Sequence, residues 1–176
     1  MPINLPDGPT LFARLAVRLD ALAEGHRMGD WLRFVARLER AQAAANLRLS
    51  AQLVVQLECA VAARSPPLAV DDHVRDAAWR DGLASLLSGV SDDMRPSATL
   101  TAIDRLRQYD VGTVEALADA YLCANVPAGE ADIALFVAAA LQVYFAYCAA
   151  TLPVAALHLL PQRGLCRSAA PHPPPA

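Results

Sequence analysis

Along most of this chain apolar residues recur at steps of three and four, with polar residues between them. That spacing lines one side of a helix; a strand would need alternation at steps of two. Leu11, Leu15, Leu19 and Leu22 share one face of a first helix, with Arg14 and Arg18 on the other. Thr10 is placed to cap it and Gly25 to end it. After a short turn from Glu24 to Gly29, Asp30 is placed to cap a second helix with Trp31, Phe34, Val35 and Leu38 at core spacing. The pattern allows this helix to run on to Arg64, where Ser65-Pro66-Pro67 stops it. Its alanine-rich middle, Ala41 to Asn46, would admit a close neighbour.

A third helix is expected from Asp71 or Asp72, with Trp79, Leu83, Leu86 and Leu87 facing inward and a connector from Gly89 to Pro96. A fourth covers Ser97 to Gln108. Thr113 is placed to cap a fifth that buries Val114, Leu117, Tyr121 and Leu122. A turn at Pro127 to Glu130 leads into a sixth, Ala131 to Leu152, closed by Pro153. The pattern predicts an all-α fold: one bundle of about six helices, with a long second helix and a buried apolar last helix. Residues 1–160 make that helical domain, and 161–176 read as a proline-rich, disordered tail.

The last helix admits a second reading. Ile133 to Leu152 contains no charged residue and is long enough to span a membrane. A central bundle helix, apolar on every side, has the same composition. The alanines, the mid-helix polar groups Gln142, Tyr144, Tyr147 and Cys148, and the lack of an aromatic belt or arginine cluster at its ends favour the bundle. A small membrane protein anchored by this helix is the alternative.

Composition narrows the function more than the fold. Aromatic residues make up only 6% of the chain, which suits helices better than sheets. The net charge of −3 advertises no nucleic-acid surface. All basic residues are arginine, in keeping with a GC-rich gene. No glycine-rich phosphate loop, zinc-protease motif or nucleophile elbow is present. His26, His73, His158 and His172 are dispersed, and His26 reads as a turn residue bonded to nearby backbone. The pairs Asp71-Asp72 and Asp92-Asp93 sit where acidic residues complement a helix dipole. Cys59, Cys123 and Cys148 lie in apolar runs and read as small buried hydrophobes. The expectation is a cytoplasmic protein that is not an enzyme.

Three stretches resemble a known family. Leu11-Phe12-Ala13-Arg14-Leu15-Ala16-Val17-Arg18-Leu19 through Gly25-His26, continued by Gly29-Asp30-Trp31-Leu32-Arg33-Phe34, is similar to the opening of the formate dehydrogenase accessory protein family (FdhE). Arg27-Met28 departs from the family's usual continuation after this histidine. Pro66-Pro67-Leu68 and Phe136-Val137-Ala138-Ala139-Ala140-Leu141-Gln142-Val143-Tyr144 resemble later family segments. The resemblance covers about residues 10 to 166. It implies a cytoplasmic accessory factor that binds the formate dehydrogenase catalytic subunit, with no membrane or nucleic-acid partner. It leaves homo-oligomers open. It also implies a helical first domain followed by rubredoxin-like Cys-x-x-Cys knuckles holding iron or zinc.

Cys166 stands where the first knuckle ligand belongs, and no second follows it. The resemblance therefore makes Cys166 a remnant ligand that binds no metal alone, and no cofactor is expected in this chain. In GC-rich codons, one nucleotide added after the Cys166 codon turns the tail into Cys-Pro-Val-Cys-Gly. A one-nucleotide frame change accounts for the tail on this reading; a natural proline-rich end is the other. For partner contact the candidates are His26, Asp30 and Arg33 in the first turn, with Pro66 and Pro67.

Overall fold

The computed structural model describes residues 7–63, 65–68, 73–91 and 98–157. Among them are seven helices and no strand: α1 (Gly8–Ala23), α2 (Gly29–Ala44), α3 (Ala51–Ala62), α4 (Ala78–Ser91), α5 (Ala98–Arg107), α6 (Val111–Leu122) and α7 (Ala131–Ala150). Short 3-10 turns at Ala128–Glu130 and Val154–Ala156 flank α7.

The expected long second helix is two helices. Run on to Arg64, it would be over 50 Å long, more than the width of a small domain. Ala45 instead turns to extended backbone, with ψ 133. Its carbonyl accepts a hydrogen bond from the Tyr147 hydroxyl at 2.8 Å. Ser50 then caps α3 by accepting from the Leu53 amide at 3.2 Å. Leu47, in the break, is buried and packs where Gly82 leaves α4 without a side chain. Nothing in the helical rhythm marks this break, because it depends on partners about a hundred residues away.

Caps also differ from expectation. Asp7, not Thr10, is the α1 cap position, and Thr10 donates its hydroxyl to the Asp7 carboxylate. Met28, not Asp30, precedes α2, and Asp30 lies in its first turn. Asp110, not Thr113, caps α6, accepting from the Thr113 amide at 2.8 Å. The third expected helix is α4. It starts only at Ala78, whose amide donates to Asp76 at 2.8 Å; Asp71 and Asp72 lie outside the described residues. Gly89 belongs to α4 rather than to a connector. It faces Ala41 of α2, so the alanine-rich stretch does admit a close neighbour.

α1 and α2 form a hairpin held by an Asp20–Arg40 ion pair. Gly25 ends α1 at φ +67, in the left-handed region open to glycine. Gly29 is needed for close approach, since a β-carbon there would stand 2.7 Å from the Ala23 carbonyl oxygen. The face of α1 that enters the core is Phe12, Ala16 and Ala23. The leucine stripe expected inside lies outward, with Leu11 44%, Leu15 37% and Leu22 53% exposed. Trp31, expected in the core, is 48% exposed.

α7 is the axis of the molecule. Helices α1, α2, α4, α5 and α6 all pack on it. Twelve of its twenty residues are buried, as expected for a central apolar helix. By length and composition the same helix passes for a membrane span. Trp79, Leu83, Leu86 and Leu87 of α4 are buried as the pattern predicts. On α6, Val114 and Leu117 are buried, but Tyr121 is largely exposed and Leu122 only half-buried. Cys148 is buried, whereas Cys59 of α3 and Cys123, just past the end of α6, are exposed, against expectation.

Candidate functional site

The residues singled out from sequence fall in two places. His26, Asp30 and Arg33 sit at the α1–α2 turn. The His26 Nδ1 accepts from the Met28 amide at 3.1 Å, and the Arg33 guanidinium meets Asp30 at 2.9 Å. Asp30 is otherwise fully exposed. These bonds shape a turn.

Pro66 and Pro67 lie after α3 and are half-buried. His73 hydrogen-bonds the Pro67 backbone, and its Nε2 lies 2.8 Å from the Tyr144 hydroxyl. The Asp76 amide donates to the same hydroxyl at 3.0 Å. A consistent assignment has Tyr144 donating to Nε2 while Nδ1–H donates to the Pro67 carbonyl, with a neutral imidazole. Burial and the nearby Arg75 charge push the His73 pKa down, in keeping with that neutral ring. Burial raises the Tyr144 phenol and lifts the Cys148 thiol to about 11, so neither ionises near neutral pH.

A second polar cluster joins α4 to α6. The Glu115 carboxylate accepts from Trp79 Nε1 at 2.9 Å, from Arg75 at 2.8 Å and from Arg80. Arg75 also reaches Asp119 at 2.7 Å and lies over the Trp79 ring. Burial alone would raise the Glu115 carboxyl. The three donors and the Arg75 charge outweigh it and hold the pKa below the usual carboxylate range. Every strong group in this cluster is matched, so it locks helices together and leaves nothing poised for chemistry.

The open feature is elsewhere, along the free side of α7. Two adjoining hollows of about 630 and 420 Å³ share Glu39, Tyr121, Ala138 and Gln142. Leu11, Phe12 and Leu15 of α1 form one wall, Tyr121 and Leu122 of α6 the other, and Leu68 closes one end. α7 supplies the floor, with alanines keeping it low. Among the described residues Glu39 is the one charged side chain lining either hollow. Its Oε2 is buried with no hydrogen-bond partner among the described residues, and burial raises its pKa. Gln142 is bridged at 3.1 Å to the buried Gln42, which also donates to the Ala139 carbonyl at 2.9 Å.

Sequence reading missed this cleft. A signal was present: Glu39 lies among Val35, Leu38 and Gln42 on the inward side of α2, where a carboxylate is out of place. The outward turn of Leu11 and Leu15 carried no such mark.

Cys166 and the tail lie outside the described residues. Among the described residues no three of His, Cys, Asp or Glu come together as a metal-ligand set, so this part of the chain offers no tetrahedral site for iron or zinc.

Comparison with known proteins agrees with this architecture. The family model described as "FdhE, N-terminal" matches residues 1–161. Protein FdhE homolog of Edwardsiella ictaluri is 36% identical over 157 residues, covering 86% of this chain and 50% of that protein. Protein FdhE of Escherichia coli is 31% identical over 154 residues, again with 86% and 50% coverage. The crystal structure of the FdhE protein from Pseudomonas aeruginosa superposes with a TM-score of 0.65 at 37% identity, over 80% of this chain and 50% of that one. The chain thus spans about half the length of the curated relatives it matches. With a family match over nearly its whole length and a solved relative of the same helical architecture, the chain belongs to the FdhE family and corresponds to the family's N-terminal part.

Proposed function

We propose that this chain is a cytoplasmic accessory factor needed for formate dehydrogenase activity, and that it acts by binding the dehydrogenase catalytic subunit, with no catalysis of its own. The observation that carries this reading is the family match over residues 1–161. The matched polar clusters and the open apolar cleft support it, since they suit holding a polypeptide better than transforming a small molecule. On this reading the chain takes no cofactor, and iron or zinc belongs to the knuckles of longer family members. Cys166 remains an isolated thiol.

The test is complementation. In a host lacking its own FdhE, this chain is expressed and formate dehydrogenase activity is assayed, with pull-down of the catalytic subunit in parallel. Recovery of the subunit by the chain is expected. Failure to recover it, even from a chain extended with the knuckles, would reject the reading. A second reading, a membrane protein anchored by α7, draws on that helix's length and apolar composition. Carbonate extraction separates the two: release into the supernatant is expected, and a resistant pellet would favour the anchor.

A further inference from the structure

One strip of α7 lines the two hollows: Leu135, Ala138, Gln142, Phe145 and Ala149. The steps are three, four, three and four, the spacing of a helix seam that receives another helix. Fourteen steps of 1.5 Å make the strip about 21 Å long, or four turns. Alanines at Ala138 and Ala149 lower the floor so that a backbone can come close. Leu11 and Leu15 rise on one side, and Tyr121 on the other. Among the described residues no helix lies in this cleft.

Its middle is not neutral. Glu39 lines both hollows, and one of its carboxylate oxygens, tucked beneath the surface, has no hydrogen-bond partner among the described residues. A carboxylate so placed calls for a hydrogen-bond donor, best a charged one. We propose that this cleft binds an amphipathic α-helix of about four turns from another polypeptide, apolar at heptad spacing, with one arginine or lysine on that face to meet Glu39. The guest's apolar residues would lie against Leu15, Phe145 and Ala149, and its basic group would meet the Glu39 carboxylate. The proposal deepens the reading of this chain as a binding protein by placing the contact. It rests on that reading only in taking a polypeptide as guest.

The experiment uses the full chain and two fluorescein-labelled fifteen-residue peptides. Both are alanine-rich, with leucines at heptad spacing. One carries arginine at the centre of the apolar face and the other glutamate. Anisotropy titration is expected to show the arginine peptide binding at least tenfold tighter than the glutamate peptide. Glu39→Gln should remove most of that preference while leaving the circular dichroism unchanged. Leu15→Arg, on the exposed rim, should weaken the arginine peptide further. Lack of binding by the full chain, or equal binding of both peptides, overturns the proposal. So does light scattering that shows a dimer which Leu15→Arg dissolves, because the cleft would then belong to a second copy. Pull-down of the dehydrogenase subunit is scored separately: its loss would reject the proposed client without touching the cleft, and peptide failure would reject the cleft without touching the client.

Discussion

The two sides of α7 are built from similar residues and meet opposite surroundings. Toward α4 and α6 lie Tyr144 and Cys148, bound into a chain of polar contacts through His73 and Asp76 and backed by the Trp79–Glu115 cluster. There every buried polar group has a partner, and the helices are joined by directional bonds as well as packing. Toward the cleft, Leu135, Ala138 and Phe145 line open hollows, and the carboxylate beside them has an oxygen with no partner among the described residues. A buried group without a partner costs stability, so a fold that keeps one has left room for something else. The sealed side carries the structure, and the open side carries the binding capacity.

Mutations should divide along that line. The largest effect is expected at Trp79, fully buried with its indole N–H bonded to Glu115. Trp79→Ala should cost about 3–5 kcal/mol in denaturant unfolding. A cost under about 1 kcal/mol would show that the α4–α6 seam is not where stability resides. Glu115→Ala should cost about 2 kcal/mol, since it takes the acceptor from the buried Trp79 indole N–H and from Arg80 and leaves Arg75 with Asp119 alone. Because the folded-state pKa of Glu115 lies below its unfolded value, the contribution is present above about pH 4.5 and is lost as pH falls through the folded value. The gap between wild type and Glu115→Ala should therefore close in acid.

Tyr144→Phe should cost about 1–2 kcal/mol by removing the hydroxyl shared by His73 and the Asp76 amide. The His73 pKa is also depressed on folding, so its contribution is whole above about pH 6.5 and is lost as pH falls through the folded value. Chemical denaturation between pH 5 and 8 should show that loss in wild type and less of it in His73→Gln.

On the open side the signs change. Burial raises the folded-state pKa of Glu39, so folding disfavours its charged form and the resulting penalty grows as pH rises through that value. Glu39→Gln should raise the melting temperature at pH 8, and the gain should fade on acidification. A drop in melting temperature would mean that Glu39 is paired and the comparison fails. The smallest effect is expected from Leu11→Ser and Leu15→Ser, which should stay within about 1 kcal/mol despite changing two leucines. Loss of several kcal/mol would show that this stripe is core after all.

The contrast explains where sequence reading succeeded. The apolar run of α7 and the inward residues of α4 were legible because nearly the whole helix, or one broad face of it, is buried. The α1 stripe misled because its four leucines are more apolar than the Phe12, Ala16 and Ala23 face that actually packs. Small residues won that place because α1 lies close to its neighbours, with Gly8 set against Ala146 of α7. His26 was rightly read as bonded to nearby backbone. Glu39 was passed over because a single glutamate on a helix is ordinary until its surroundings are known.

Taken alone, the sequence determined helices rather than strands, the central role of the Ala131 to Ala150 segment, the turn at Gly25, and a family resemblance resting on three ordered motifs. These depend on local spacing, propensity and residue identity. Tertiary structure alone decided the break at Ala45, the outward rotation of the α1 leucines, and the cleft around Glu39. Each depends on segments far apart in the chain: Tyr147 reaching Ala45, Leu47 seated against Gly82, and α1, α2 and α6 standing around a strip of α7 that none of them fills.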